Sequence, residues 1–231
     1  MSHHDLPGHP GVTLVLRRSA RARRFSLRVS GLDGQVTLSL PARAREGDAL
    51  AFAAGQADWI VKARARVGSA VEVRFGTVLP VEGQPVVLAP ADVRAPRLEG
   101  GELLLPRDPA KVAARTAAWL KFRARARLVE ASARYAALLG RTPGPITLRD
   151  TRSRWGSCAA DGALMYSWRL ILAPPEVLDY VAAHEVAHLV EMNHSPAFWA
   201  AVARLMPDYQ RHRRWLKREG AGLHRYRFDA R

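Results

Sequence analysis

Between residues 12 and 41 apolar and polar side chains alternate, as in Phe25, Leu27 and Val29 and again in Val36, Leu38 and Leu40. A period of two puts one side of each run against a core, which is the mark of a half-buried strand. Gly31-Leu32-Asp33-Gly34 separates the runs, so the pattern predicts antiparallel strands joined by a hairpin. The period then lengthens. Leu50, Phe52, Ile60 and Val61 are spaced for one helix over 46–67, with Arg64 and Arg66 in its last turn. Over 70–105 short β-type runs return (VEVRF, QPVVLAP, ELLLP), cut by Gly and Pro. Residues 1–106 therefore read as a β-rich N-terminal unit with one helix.

The second half has a different character. Asp108-Pro109 can open a helix and Gly140 can close it, and the Ala/Arg-rich stretch between carries Trp119, Leu120, Phe122 and Leu128. A strand is expected over ITLRDTRSRWGSC, then a turn at Asp161-Gly162 and a second strand over ALMYSWRLILA. Pro174-Pro175-Glu176 opens a helix, Ser195-Pro196 another that Pro207 stops, and Asp208 a third, basic one running to Gly220. Residues 107–231 read as one α+β domain with a basic C-terminal tail.

Composition narrows the setting. Apolar residues at 48% suit a globular chain, and no run approaches the roughly 20 apolar residues of a membrane span. MSHHDLPGHPG has no basic segment followed by an apolar one, so no signal peptide is expected. The single cysteine, Cys158, excludes an intramolecular disulfide, and the expected location is cytoplasmic. The net charge of +15 favours polyanions, nucleic acid first among them. Of 36 basic residues 32 are Arg; a GC-rich coding bias explains Arg in place of Lys but leaves the excess over 21 acids unexplained. Residues 17–28 hold six Arg and no acid, and residues 211–231 hold eight bases against two acids, interleaved with Trp215, Tyr226 and Phe228.

The chemistry concentrates in HEVAHLVEMNH, residues 184–194. His184 and His188 are four apart, so a helix sets both imidazoles on one face, spaced to share one Zn²⁺. Glu185, beside the first ligand, can act as general base on a metal-activated water. His194 lies six residues on, the wrong face of a continuing helix. It reaches the metal only if the helix ends near Met192-Asn193, where Asn tolerates the left-handed conformation and Ser195-Pro196 restarts the chain. Three His plus water make an open, catalytic site rather than a closed structural one. Should His194 not serve, Asp208 and Glu219 are the next carboxylates. Tyr209, His212 and Tyr226 are candidates for stabilising an oxyanion. Cys158 reads as a packed thiol, Phe198 and Trp199 as core.

Arg154 to Cys158 (RWGSC), the later Trp168-Arg169-Leu170 and DYVAAHEVAHLVEMNHSPAFW together resemble the YgjP-like zinc metallopeptidases, relatives of the SprT-like proteases within the zincins. RRFSLRVSGLDGQVTLSLP and Trp59-Ile60 extend the likeness forward, and Val186 replaces a common Leu. The resemblance implies a zincin-like α+β domain with its active-site helix under an antiparallel sheet. It also implies one Zn²⁺ on His184, His188 and His194, with Glu185 as the catalytic glutamate. Arg152–Ser157 would be the edge strand that pairs with an extended substrate. Asp150, Arg152, Arg154, Trp155 and Tyr209 are then the substrate-binding candidates. The SprT relatives act on proteins attached to DNA, so a protein or peptide substrate near nucleic acid is the leading expectation. Two alternatives stay open: a metal-dependent nucleotide or phosphoester hydrolase of pyrophosphatase type, and a nucleic-acid-binding module with a vestigial metal site.

Overall fold

A computed structural model describes residues 2–31, 34–65 and 69–228. The chain divides into two compact units, Met1–Ala70 and Val71–Arg231. The division falls at 70/71 rather than at 106/107. The reason is burial: Leu79, Val81, Leu88, Leu103 and Leu105 share one core with Leu120 and Leu128 of the long helix and cannot be separated from it.

In the first unit β1 (Ser2–Leu6) and β2 (His9–Ser19) form a hairpin, followed by β3 (Ser26–Val29) and β4 (Val36–Pro41). The sheet order is β1-β2-β4-β3. The β3–β4 pair is the expected antiparallel one, while β2 runs parallel to β4 and β1 was not foreseen. Two residues of the expected turn, Leu32 and Asp33, lie outside the described residues. Leu14, Leu16, Val36, Leu38 and Leu40 bury one sheet face together with Ala49, Ala53 and Ile60. The expected single helix is two, α1 (Glu46–Ala54) and α2 (Ala57–Ala65). Gly55 closes α1, its N–H bonding to the Ala51 carbonyl while Gln56 N bonds to that of Ala53, and the chain restarts at Ala57.

The second unit is α+β. Strands β5 (Val71–Glu72), β6 (Val78–Val81), β7 (Gln84–Ala91), β8 (Arg97–Glu99) and β9 (Glu102–Pro106) lead into α3 (Val112–Leu138) through a 3-10 turn at Pro109–Lys111. The sheet order is β6-β7-β9-β8. Asp108 makes no capping bond; it pairs with Lys111 at 3.2 Å instead. Thr116, Leu120, Ala124 and Leu128 recur every four residues along α3, so one stripe is buried, and α4 (Pro175–Ala187) packs against α3. Nine of the thirteen residues of α4 are buried, and such a helix has neighbours on every side.

The stretch expected as one strand over 146–158 is two, β10 (Ile146–Arg149) and β11 (Gly156–Cys158), which flank β12 (Leu164–Ser167) in the order β10-β12-β11. The chain must cross β12 between them. Asp150 is drawn out to Arg169 (2.6 and 3.0 Å), and Thr151 Oγ1 donates to Arg154 O at 2.8 Å, so 150–155 bends instead of pairing. Likewise β12 stops at Ser167 and a 3-10 turn carries Trp168–Leu172. Arg169 is buried beneath Trp168 and Phe228 and donates to the carbonyls of Leu223 and Tyr226. Beyond α5 (Pro196–Leu205) and α6 (Tyr209–Glu219), β13 (Tyr226–Arg227) pairs in parallel with β5. Among the described residues no helix is long and apolar enough to cross a membrane.

Candidate metal centre

Pro175 at the first turn starts α4, and His184 sits in its last turn. The helix ends at Ala187, five residues before Met192, and His188 is its cap with φ −65° and ψ −17°. Val190 and Glu191 both donate to Ala187 O, which turns the chain at once. Asn193 has no positive φ; the left-handed closure expected there does not occur. Ser195 N donates to Asn193 O at 2.8 Å, and Ser195 Oγ caps Phe198 N at 3.2 Å, so α5 does restart where expected. Between the two ends the loop carries His194 back over His184.

The ligand-capable nitrogens of His184, His188 and His194 lie within 4.8 Å of one another. The Nε2 atoms of His184 and His194 are 3.0 Å apart. Two ligands of a tetrahedral Zn²⁺, each about 2.05 Å from it, would be roughly 3.3 Å apart, so this spacing suits convergence on one small cation. His188 Nδ1 lies 3.0 Å from Glu191 O. The carbonyl can only accept, so Nδ1 carries the proton and Nε2 is left with a free lone pair. Phe198, fully buried, is a common floor for the imidazoles, its ring 4.9, 4.4 and 4.7 Å from those of His184, His188 and His194. Burial, then the neighbouring His188, His194 and Arg213, push the His184 imidazole down to about 3. Burial also lowers His188. Both rings are therefore neutral near pH 7, the form that binds metals. The donor set fits a metal ion.

Glu185 is only 6% exposed. Its burial has a visible cause: β11 passes directly over it, and a Cβ on Gly156 would stand 2.6 Å from both Cγ and Oε1 of Glu185. Glycine is required here for space, since its φ is not positive. Burial pushes the Glu185 carboxyl up to about 8, opposed by the charge of Arg154. A cleft of about 250 Å³ opens between β11 on one wall and Glu185, the three histidines and Met192 on the other. Among the described residues strand β11 pairs with β12 alone, so its outer edge is open where it borders this cleft.

The remaining sequence candidates separate. Arg154 is exposed and within electrostatic reach of Glu185. Arg152 is exposed and faces His224, and Asp150 holds Arg169. Trp155 is packed against His224 (5.0 Å between rings) and Gly220. Of the oxyanion candidates, Tyr209 stacks on Trp199 (5.5 Å) and Tyr180 (6.4 Å), both beside His184. His212 is tied to Asp208 at 3.0 Å, and Tyr226 is buried in β13. Asp208 and Glu219 pair with His212 and Arg218 and are outside the histidine group. Burial raises the Cys158 thiol, helped by Glu185, which favours the neutral thiol over the thiolate. Phe198 is core, as expected, but Trp199 is only half-buried and its ring is 5.7 Å from both His184 and His194.

Sequence reasoning missed Arg213. Its guanidinium lies over Trp199 at 4.5 Å and acts electrostatically on His184 and Tyr180. The signal was its place on α6, four residues after Tyr209 and so on the same face.

A family model described as YgjP-like, metallopeptidase domain, matches residues 23–219. Comparison with curated proteins and with solved structures gives no match.

Proposed function

The chain belongs to the YgjP-like metallopeptidase family, and on that premise we propose a zinc-dependent peptidase that works with a zincin-type arrangement of helix and strand. The observation that carries this reading is the cleft itself: an open strand edge, Gly156–Cys158, runs along one wall and the histidines with Glu185 form the other. A small-molecule hydrolase has no need of a free edge. An extended polypeptide does, because it can pair its backbone with one.

In this reading His184, His188 and His194 hold Zn²⁺. When bound, the ion supplies Lewis-acid chemistry, polarising a carbonyl and acidifying water. The chain's own residues do the rest. In its ionised form Glu185 takes a proton from the attacking water at a carboxylate oxygen and returns it to the leaving amine. The backbone of β11 holds the substrate extended, while the shielding of Glu185 by Gly156 keeps bulk water from competing for its carboxylate. Arg213, supported by Trp199 and Tyr209, brings positive charge to the rim where negative charge develops on the substrate. Arg154 and Arg152 contact the substrate from the bend that leads into β11, and Trp155 keeps that segment in place through His224. We place the reaction in the cytoplasm, which the single half-buried free thiol supports, and the substrate among proteins close to nucleic acid, which the charge of +15 supports.

The test is a pair of variants assayed for metal content and for hydrolysis of casein and histones, with nucleoside triphosphates alongside. Glu185→Gln retains zinc and loses turnover by about 10²–10⁴-fold, the usual contribution of general acid–base catalysis. His194→Ala loses zinc as well. Wild-type turnover in the first variant, or wild-type zinc in the second, rejects the assignment. Hydrolysis of triphosphates with none of protein moves the substrate class to phosphoesters.

A further inference from the structure

A second cleft, of about 610 Å³, lies wholly within Met1–Ala70. It is lined by Arg17, Arg21, Arg23 and Arg24 with Ser19, Ser26 and Ser39, and among the described residues no acidic one contributes to it. Its floor follows from strand register. Arg17 on β2 stands opposite Ser39 on β4, which stands opposite Ser26 on β3, so guanidinium and hydroxyls form one row across the sheet. Leu16, Leu38 and Leu40 point the other way into the core, so the period of two commits this row to the polar face. Its wall is the link from β2 to β3. Ala22 N bonds Ser19 O (3.2 Å) and Arg21 N bonds Ser19 Oγ (3.3 Å), and this turn brings Arg21, Arg23 and Arg24 around the end of the sheet.

Arg18, the neighbour of Arg17, shows what an arginine with a structural task looks like. It donates to the carbonyls of Ala42 (3.0 Å) and Ala44 (2.8 Å) and lies 3.9 Å from Glu46. Among the described residues, the side chains of Arg17, Arg21, Arg23 and Arg24 have no such acceptor. Four like charges gathered without counter-charge disfavour the isolated fold, and an external anion relieves them. The guanidinium fork matches phosphate oxygens in pairs, and serine hydroxyls add donors. No aromatic ring lines the cleft, so nothing there would stack on a base.

We propose that this cleft binds the phosphodiester backbone of nucleic acid, without reading its sequence. The inference does not depend on the peptidase reading, and it places the contact with nucleic acid on the arginines of the β2–β3 link. The full chain is titrated against a fluorescein-labelled DNA duplex of about 20 base pairs at salt between about 0.05 and 0.2 M. Replacing Arg21, Arg23 and Arg24 together by Ala is expected to lower affinity at least tenfold at about 0.1 M salt. The slope of log K against log salt should become shallower by about 2 to 3, because each phosphate contact contributes about 0.9. All three residues are exposed, so the fold should be retained, and circular dichroism checks it. A control removes the same charge from α6, with Arg211, Arg214 and Lys217 replaced by Ala, and should change affinity less than threefold. Equal losses in both triple variants mean that diffuse charge attracts the duplex and overturn the proposal. An unchanged slope in the first variant overturns it too, as does displacement of the duplex by poly-glutamate or by inorganic pyrophosphate at equal charge concentration. Glu185→Gln should bind the duplex like wild type, so a failed peptidase assignment and a failed DNA site give different results.

Discussion

The cleft at His184 and the cleft at Arg17 each gather a few groups of one kind, yet they are built by opposite means. At the first, the imidazoles of His184 and His188 and the Glu185 carboxyl are shielded from water by the surrounding fold, and desolvation is the main influence on their protonation. At the second, exposed guanidiniums keep their water and act through the sum of their charges. Buried groups are sensitive to tenths of an ångström and indifferent to salt. Exposed charges behave in reverse, because mobile ions screen them within about 10 Å at 0.1 M. A substitution in the core of Val71–Arg231 should therefore disable the first cleft and leave the second untouched. That asymmetry is open to attack at several strengths.

The largest effect is expected at Arg169. It is buried, forms a two-pronged pair with Asp150, and fixes the carbonyls of Leu223 and Tyr226. Arg169→Met leaves the Asp150 carboxylate and both carbonyls without their donor. Removing one partner of a buried pair costs about 3–5 kcal/mol; Asp150 is partly exposed, so the lower end applies. Urea unfolding followed by tryptophan fluorescence should show the loss, since Trp155 and Trp168 lie beside this cluster. Duplex binding by the folded variant should be unchanged. A shift below about 1 kcal/mol would show that Arg169 does not hold the tail.

A smaller and more local effect is expected from Gly156→Ala. The added methyl must displace Glu185, whose Cγ and Oε1 are 2.6 Å from its position. Overpacking of this kind costs about 1–3 kcal/mol. If the displacement falls on the Glu185 carboxylate, turnover should drop about tenfold to a hundredfold with zinc content unchanged. Loss of zinc in place of turnover would mean that β11 supports the histidines rather than the glutamate.

What the sequence made legible follows the same divide between local and distant causes. The starts of α4 and α5 could be read because Pro175 and Ser195-Pro196 act on their own backbone. The histidine spacing could be read because helix geometry fixes it. The helix end could not: it came at His188, where Ala187 O takes two donors, and no residue type announces that. Nor could the break between β10 and β11, which depends on Arg169 nineteen residues beyond Asp150. Gly156 could be read as a strand residue, but not as a spacer for a side chain 29 positions away. The arginines of 17–28 were visible as charge, but only strand register put Arg17, Ser39 and Ser26 in one row.

The smallest effect is a matter of pH. His224 is 7% exposed, packed against Trp155, and close to Arg169, Arg152 and Asp150. Burial first, then the charges of Arg169 and Arg152 against that of Asp150, bring its imidazole down to about 4. An unfolded chain restores it to about 6.5. The folded state thus binds fewer protons than the unfolded one between these values, and stability rises with pH across them. The contribution is complete above pH 6.5, declines as pH falls below it, and is fully lost near pH 4. At pH 5.5 the loss is about 1.4 kcal/mol, one pH unit into the window. His224→Gln removes this titration and should flatten the difference in urea stability between pH 7 and pH 5.5 by that amount. Both proteins keep the same three histidines at the first cleft, so acid effects there cancel from the comparison. An identical pH dependence in the two would mean that His224 accepts a proton without unfolding, and that the packing around Trp155 tolerates a charge.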